Sequence, residues 1–162
     1  MTSNIVLFPS LFRTLAVRSL AILTAFLAAL VFLTGYSVAQ GFSPAVDLSA
    51  QDTHLAVQSD ILILVDIRTP EEWAQTGVAE GAHPISMLDQ NFLAELAQLQ
   101  DDNPGKPVAF ICASGRRSAL VQTELARRGY KDMFSVYGGT TGSRNAPGWI
   151  RDGLPITAWA PN

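Results

Sequence analysis

The sequence predicts a single domain of the open, mainly parallel α/β class, and three observations lead there. Two short apolar runs, residues 61–67 (ILILVDI) and 108–111 (VAFI), lack the polar alternation of a surface strand and suit strands covered on both faces of a parallel sheet. Stretches with helical spacing of apolar residues separate the strand candidates, the pattern of parallel strands joined by crossover helices. A chain of 162 residues holds one core of this kind beside an export segment, but not two.

Taken in order, residues 40–46 read as a linker or first edge segment, and Ser49 with Asp52 opens a short helix towards Val57. After the strand at 61–67, Thr69 is placed to cap a helix, Pro70 fits its first position, and Glu72 completes a capping box. Residues 77–84 are rich in turn formers. A short strand is expected at 85–87, then a helix at 91–99 with Phe92, Leu96 and Leu99 on one face, ended by Asp102-Asn103-Pro104-Gly105. The strand at 108–111 runs straight into Cys112-Ala113-Ser114-Gly115-Arg116-Arg117-Ser118, a loop expected to lead into a helix over 119–128 closed by Gly129. A strand at 133–136, the pair Gly138-Gly139 and a short helix around Trp149 complete the domain.

The first forty residues differ in composition from the rest. Residues 19–33 are apolar and uncharged, follow Arg13 and Arg18, and lead into Ser37-Val38-Ala39, the order of a secretory signal with a cut before Gln40. Residues 20–38 also run without a charge for about the length that spans a bilayer, so a retained anchor is the competing reading. Either way the expected organisation is a signal peptide or anchor at 1–39, a linker at 40–46 and the domain at 47–160. The domain is then exported, periplasmic or tethered to the outer side of the inner membrane, with Arg13 and Arg18 on the inner side. Without the leader, nine basic residues face 14 acidic ones and the net charge is −5, which argues against nucleic acid as a partner.

Cys112 is the chain's sole cysteine, so in an oxidising compartment it has no intramolecular partner. It is therefore buried, paired between chains, or reactive. Ligands of open α/β sheets bind at the carboxyl ends of the strands, where Cys112 falls. A short loop entering a helix points successive backbone N–H groups inward, and such a nest favours the nucleophilic thiolate. Gly115 permits the tight turn, Ser114 and Ser118 offer hydroxyls, and Arg116 and Arg117 add positive charge beside an anion. The bland alternative is an inert cysteine at the end of a buried strand.

At these residues the chain resembles the rhodanese family of sulfurtransferases, across roughly residues 46–155. Three blocks carry the resemblance: Asp66-Ile67-Arg68 with Glu71, Glu72 and Trp73; the loop from Cys112 to Ser118; and Gly138-Gly139 with Trp149 and Gly153-Leu154-Pro155. The resemblance implies a rhodanese-like parallel sheet of five strands with helices on both faces. It also implies that Cys112 is the catalytic residue and carries sulfur as a persulfide, cradled by the backbone from Ala113 to Arg117. A donor such as thiosulfate gives up its outer sulfur to the Cys112 thiolate, and cyanide or a thiol later removes it. Ala113, Ser114, Gly115, Arg116, Arg117 and Ser118 are the expected donor-binding residues. The partners implied are a small anionic sulfur donor and a cyanide, thiol or protein acceptor, with no metal or organic cofactor. The segment 140–148 is longer than in compact single-domain members, and Arg144 is its lone charge.

Asp66 reads as an organiser of the strand end, and Arg68 with a nearby glutamate such as Glu72 as a structural ion pair. His54 and His83 have no ligands at metal-binding spacing. Two other functions compete. One is a persulfide carrier or binding module without turnover. The other is a cysteine-loop phosphatase or arsenate reductase, disfavoured because phosphatases place arginine six residues after the cysteine, where this chain has Ser118.

Overall fold

The computed structural model describes residues 47–160, and the leader and linker expectations for residues 1–46 lie outside them. Strand β1 is Asp47–Leu48, followed by helix α1 Ala50–Gln58, β2 Ile63–Asp66, α2 Pro70–Thr76, β3 Val78–Ala79 and β4 Ala82–Pro84. The chain continues with α3 Phe92–Asp101, β5 Val108–Ile111, α4 Arg116–Arg127, β6 Met133–Val136, α5 Gly148–Arg151 and β7 Ile156–Thr157. Five strands pair in parallel in the order β1-β6-β5-β2-β4, and β3 pairs antiparallel with β7 in a separate ribbon.

The two central strands are buried at every position, which explains their unbroken apolar sequence. Alternate residues face opposite layers. Ile63, Val65, Val108 and Phe110 pack with Phe92 and Leu96 of α3 and Leu125 of α4 on one side. Leu64, Ala109 and Ile111 pack with Ala50 of α1 and Trp149 of α5 on the other. Helices thus cover both faces of the sheet, as the sequence predicts. Among the described residues no helix is long and apolar enough to cross a membrane.

Local signals set the first helices. The Ser49 hydroxyl accepts the Asp52 N–H at the start of α1. In α2, the Thr69 hydroxyl accepts the Glu72 N–H while the Glu72 carboxylate accepts the Thr69 N–H, the predicted capping box, with Pro70 at the first helical position.

Three expectations are corrected. The strand expected at 85–87 is β4 at Ala82–Pro84, on the sheet edge, where a proline without an N–H costs no ladder bond on its open side. The turn-rich segment before it also holds β3. Helix α4 starts at Arg116 and not Ala119, because Gly115 takes the left-handed conformation (φ 88°) at the N-cap and ends the loop there. Arg116, Arg117 and Ser118 therefore sit in the first turn of a helix.

Candidate active site

Cys112 follows β5 at its carboxyl end, the residue after Ile111. Its neighbour strand β2 ends level with it, Asp66 opposite Ile111, so the loops after both strands open on the same edge of the sheet. That edge carries Cys112 to Ser118 from one loop and Arg68 to Glu72 from the other.

The Cys112 side chain is 0% exposed and contributes to the core on the α3 and α4 side. Its polar surroundings set it apart from the rest of that core. The Gly115 N–H donates to Sγ at 3.2 Å, and the Ser118 hydroxyl lies 3.6 Å from Sγ. Arg117 stands in the first turn of α4, two residues after Gly115. A thiol in the middle of a strand would have none of these partners. Ala113, Ser114 and Gly115 are half-buried above it, and Arg116 is exposed.

Ser118, expected among the donor-binding residues, lies beneath the loop and is fully buried. Its hydroxyl donates to the Gly115 carbonyl at 2.9 Å and is 3.1 Å from the Ser135 hydroxyl of β6. A hydroxyl that already serves the loop backbone supports the sulfur from below.

Gly139 and the residues after it hold the loop from the other side. The Thr140 N–H donates to the Cys112 carbonyl at 2.7 Å, and the N–H and hydroxyl of Thr141 both donate to the Ala113 carbonyl, at 2.9 and 3.0 Å. A Cβ on Gly139, whose φ is +61°, would collide with the Cys112 carbonyl oxygen. Sequence reasoning pointed to Gly138-Gly139 but missed Thr140, Thr141 and Ser135. Their positions follow from tertiary pairing, and no local pattern signals it. Arg144, in the same segment, is exposed.

The ion pairs differ from expectation. Arg68 pairs with Asp66, not with a glutamate: its Nε donates to both carboxylate oxygens at 2.9 and 3.0 Å, and a terminal nitrogen to one of them at 2.7 Å. Both side chains are buried, and the remaining donors reach the Thr76 hydroxyl and the Gly77 carbonyl, each at 2.7 Å. Residues two apart at a strand end lie on one side of the chain, which favours Asp66 as the partner. The site-facing glutamate goes elsewhere. Both oxygens of Glu72 accept from the two terminal nitrogens of Arg117, at 2.9 and 2.5 Å.

This pairing holds the Glu72 carboxyl below its usual range and raises Arg117 above its own, the Glu72–Arg117 hydrogen bond being the largest cause in each case. Glu72 also accepts from the Thr69 N–H, so one carboxylate ties the start of α2 to the first turn of α4.

Trp73 and Trp149 are buried, and the Trp149 indole donates to the Pro155 carbonyl at 2.8 Å. His54 stacks edge-on against Trp149 with ring centres 5.5 Å apart. Among the described residues no three His, Cys, Asp or Glu side chains are grouped to hold a metal ion.

The comparisons with known proteins agree with this geometry. A sulfurtransferase of Allochromatium vinosum is 32% identical over 113 residues, covering 70% of this chain and 94% of that protein. A thiosulfate sulfurtransferase, GlpE, of Haemophilus influenzae is 35% identical over 94 residues, covering 58% of this chain and 78% of that protein. Among solved structures, the polysulfide-sulfur transferase homodimer of Wolinella succinogenes matches with a TM-score of 0.54 and 27% identity, covering 70% of this chain and 78% of that one. The profile of the rhodanese-like domain matches residues 49–146, more than half of the sequence, and the chain belongs to that family.

Proposed function

We propose that the protein is a sulfurtransferase that carries sulfane sulfur as a persulfide on Cys112. The observation that carries the reading is the surroundings of one sulfur atom: Sγ at a strand end, with the Gly115 N–H donating to it and the Ser118 hydroxyl 3.6 Å away. An N–H aimed at a sulfur from a loop that enters a helix stabilises negative charge there, which is what a thiolate and an ionised persulfide bear. The sulfurtransferase relatives support the same reaction class.

In the first half-reaction the Cys112 thiolate attacks the outer sulfur of the donor. With thiosulfate, the new S–S bond forms as the sulfur–sulfur bond of the donor breaks, and sulfite leaves with the bonding pair. In the second, cyanide attacks the outer sulfur of the persulfide, thiocyanate departs, and the thiolate returns. This is double displacement through a covalent intermediate. The Gly115 amide holds the charge on sulfur in both states, Arg116 meets the incoming anion, and Ser118 fixes the loop from beneath. The leader at residues 1–39 would deliver the domain outside the cytoplasm, where a thiol or protein acceptor takes the place of cyanide.

A persulfide carrier without turnover is the second reading, and the burial of Cys112 favours it, since a small donor must reach a covered sulfur. Assay of the purified chain for thiosulfate:cyanide transfer, beside Cys112→Ser, separates the two. Transfer above the Cys112→Ser background supports the enzyme; a persulfide that forms yet does not turn over supports the carrier. Hydrolysis of phosphate monoesters in the same assay would contradict both.

A further inference from the structure

We propose that Glu72 sets the charge class of the sulfur donor: by occupying both terminal nitrogens of Arg117 it selects a donor of at most one negative charge, an organic persulfide, over dianionic thiosulfate. This rests on the transfer reading above and concerns its first half-reaction.

Arg117 is the cation in the first turn of α4, two residues after the Gly115 whose N–H donates to the Cys112 sulfur. Its fork of terminal N–H groups is the feature that grips an oxyanion in two places at once. Here that fork is already filled by a carboxylate, at 2.9 and 2.5 Å. The pair is half-buried, at the start of the helix that the cysteine loop enters. Glu72 is itself anchored: its Oε2 accepts the Thr69 N–H, so the carboxylate is held in place from its own helix. Within the loop this leaves Arg116 as the cation without an ion pair among the described residues, and it is exposed.

The charge balance decides between donors. Thiosulfate brings two negative charges to a thiolate and its leaving group, sulfite, takes two away. One exposed arginine and the loop amides are poor compensation, because the Arg117 charge is cancelled by Glu72. An organic persulfide asks for less. The Cys112 thiolate attacks the outer sulfur of R–S–SH, a Cys112–sulfur bond forms, and the R–S bond to that sulfur breaks. The thiolate R–S⁻ leaves with the electron pair and one negative charge, and the proton stays on the new persulfide. Charge is conserved at −1 throughout and no oxidant or reductant is needed.

Glu72 acts through Arg117 and is a positioning residue, so its test reads charge discrimination and not rate alone. The kcat/KM values for thiosulfate and for 2-hydroxyethyl persulfide, whose organic part is uncharged, are measured on the wild-type chain, on Glu72→Gln and on Glu72→Asp. Glutamine keeps an oxygen for the Thr69 N–H and removes the charge. The thiosulfate-to-persulfide ratio is expected to rise about tenfold in Glu72→Gln, chiefly through a lower KM for thiosulfate, as an unopposed unit charge at the rim of a solvated site would produce. Glu72→Asp, which retains the charge, is expected to stay within about threefold of wild type. A purely structural role would lower both donors together and leave the ratio where it was.

Inhibition of the wild-type chain by inert anions gives a reading free of mutation and of donor reactivity. Sulfate and methanesulfonate are expected to inhibit within about threefold of each other. Sulfate binding at least ten times tighter, or a donor ratio unmoved in Glu72→Gln, overturns the proposal while leaving sulfur transfer intact. A wild-type chain that takes sulfur from neither donor overturns the transfer reading and this proposal with it.

Discussion

Arg68 and Asp66 form a buried, multiply bonded ion pair at the end of β2, and the same guanidinium reaches across to the C-terminal end of α2 through the Gly77 carbonyl. The pair joins the strand that lies beside β5 to the helix that carries Glu72. It is a fixture of the scaffold, and Arg68 also donates to the backbone carbonyl of Glu72 at 3.4 Å.

Replacing Arg68 by methionine strands the Asp66 charge in a site with no solvent. The expected cost is about 3 to 5 kcal/mol of unfolding free energy, as for other buried pairs broken on one side. Urea denaturation checks it, with the slope against denaturant unchanged.

Gly139 gives a second test through backbone geometry. Alanine there must adopt a positive φ and meets the Cys112 carbonyl, so Gly139→Ala is expected to cost about 2 to 4 kcal/mol and to lower sulfur loading of Cys112. Gly129 also has a positive φ but open space around it, and Gly129→Ala is expected to cost only about 1 kcal/mol with loading intact. Thermal unfolding of the two variants side by side measures the difference.

The Glu72–Arg117 pair predicts a pH dependence. The Glu72 carboxyl is depressed in the folded chain by its hydrogen bond to Arg117, so the unfolded state binds its proton first on acidification. The stability the pair contributes is therefore fully present above the ordinary glutamate range and is lost as pH falls through the depressed value. Partial exposure keeps it to about 1 kcal/mol or less. Unfolding free energies of wild type and Glu72→Gln measured from neutral pH downwards are expected to converge. A gap that stays constant or widens would remove Arg117 as the cause of the depression.

The sequence made some of this legible and hid the rest, for reasons that separate by distance along the chain. The Thr69, Pro70 and Glu72 cap works within four residues, so its pattern survives in the sequence and the helix starts where predicted. The buried strands β2 and β5 advertise themselves because both faces are covered. Edge strand β4 has neither device: its residues Ala82, His83 and Pro84 are partly exposed and carry no apolar run. The start of α4 was missed because a left-handed glycine serves as its N-cap, where a serine or aspartate would have marked the boundary. The cysteine loop was recognisable from its residue types, whereas the grip of Glu72 on Arg117 spans 45 positions and obeys no local rule. The same holds for Thr140 and Thr141, which secure the Cys112 and Ala113 carbonyls from a separate segment.

Mass spectrometry of the purified chain after exposure to a sulfane sulfur donor tests the central claim most directly. The account predicts the added mass of a single sulfur atom on the peptide that contains Cys112, removable by cyanide and absent from Cys112→Ser. A Cys112 that gains no sulfur from thiosulfate or from an organic persulfide, and that also resists alkylation near neutral pH, would make it an inert core residue and contradict the account.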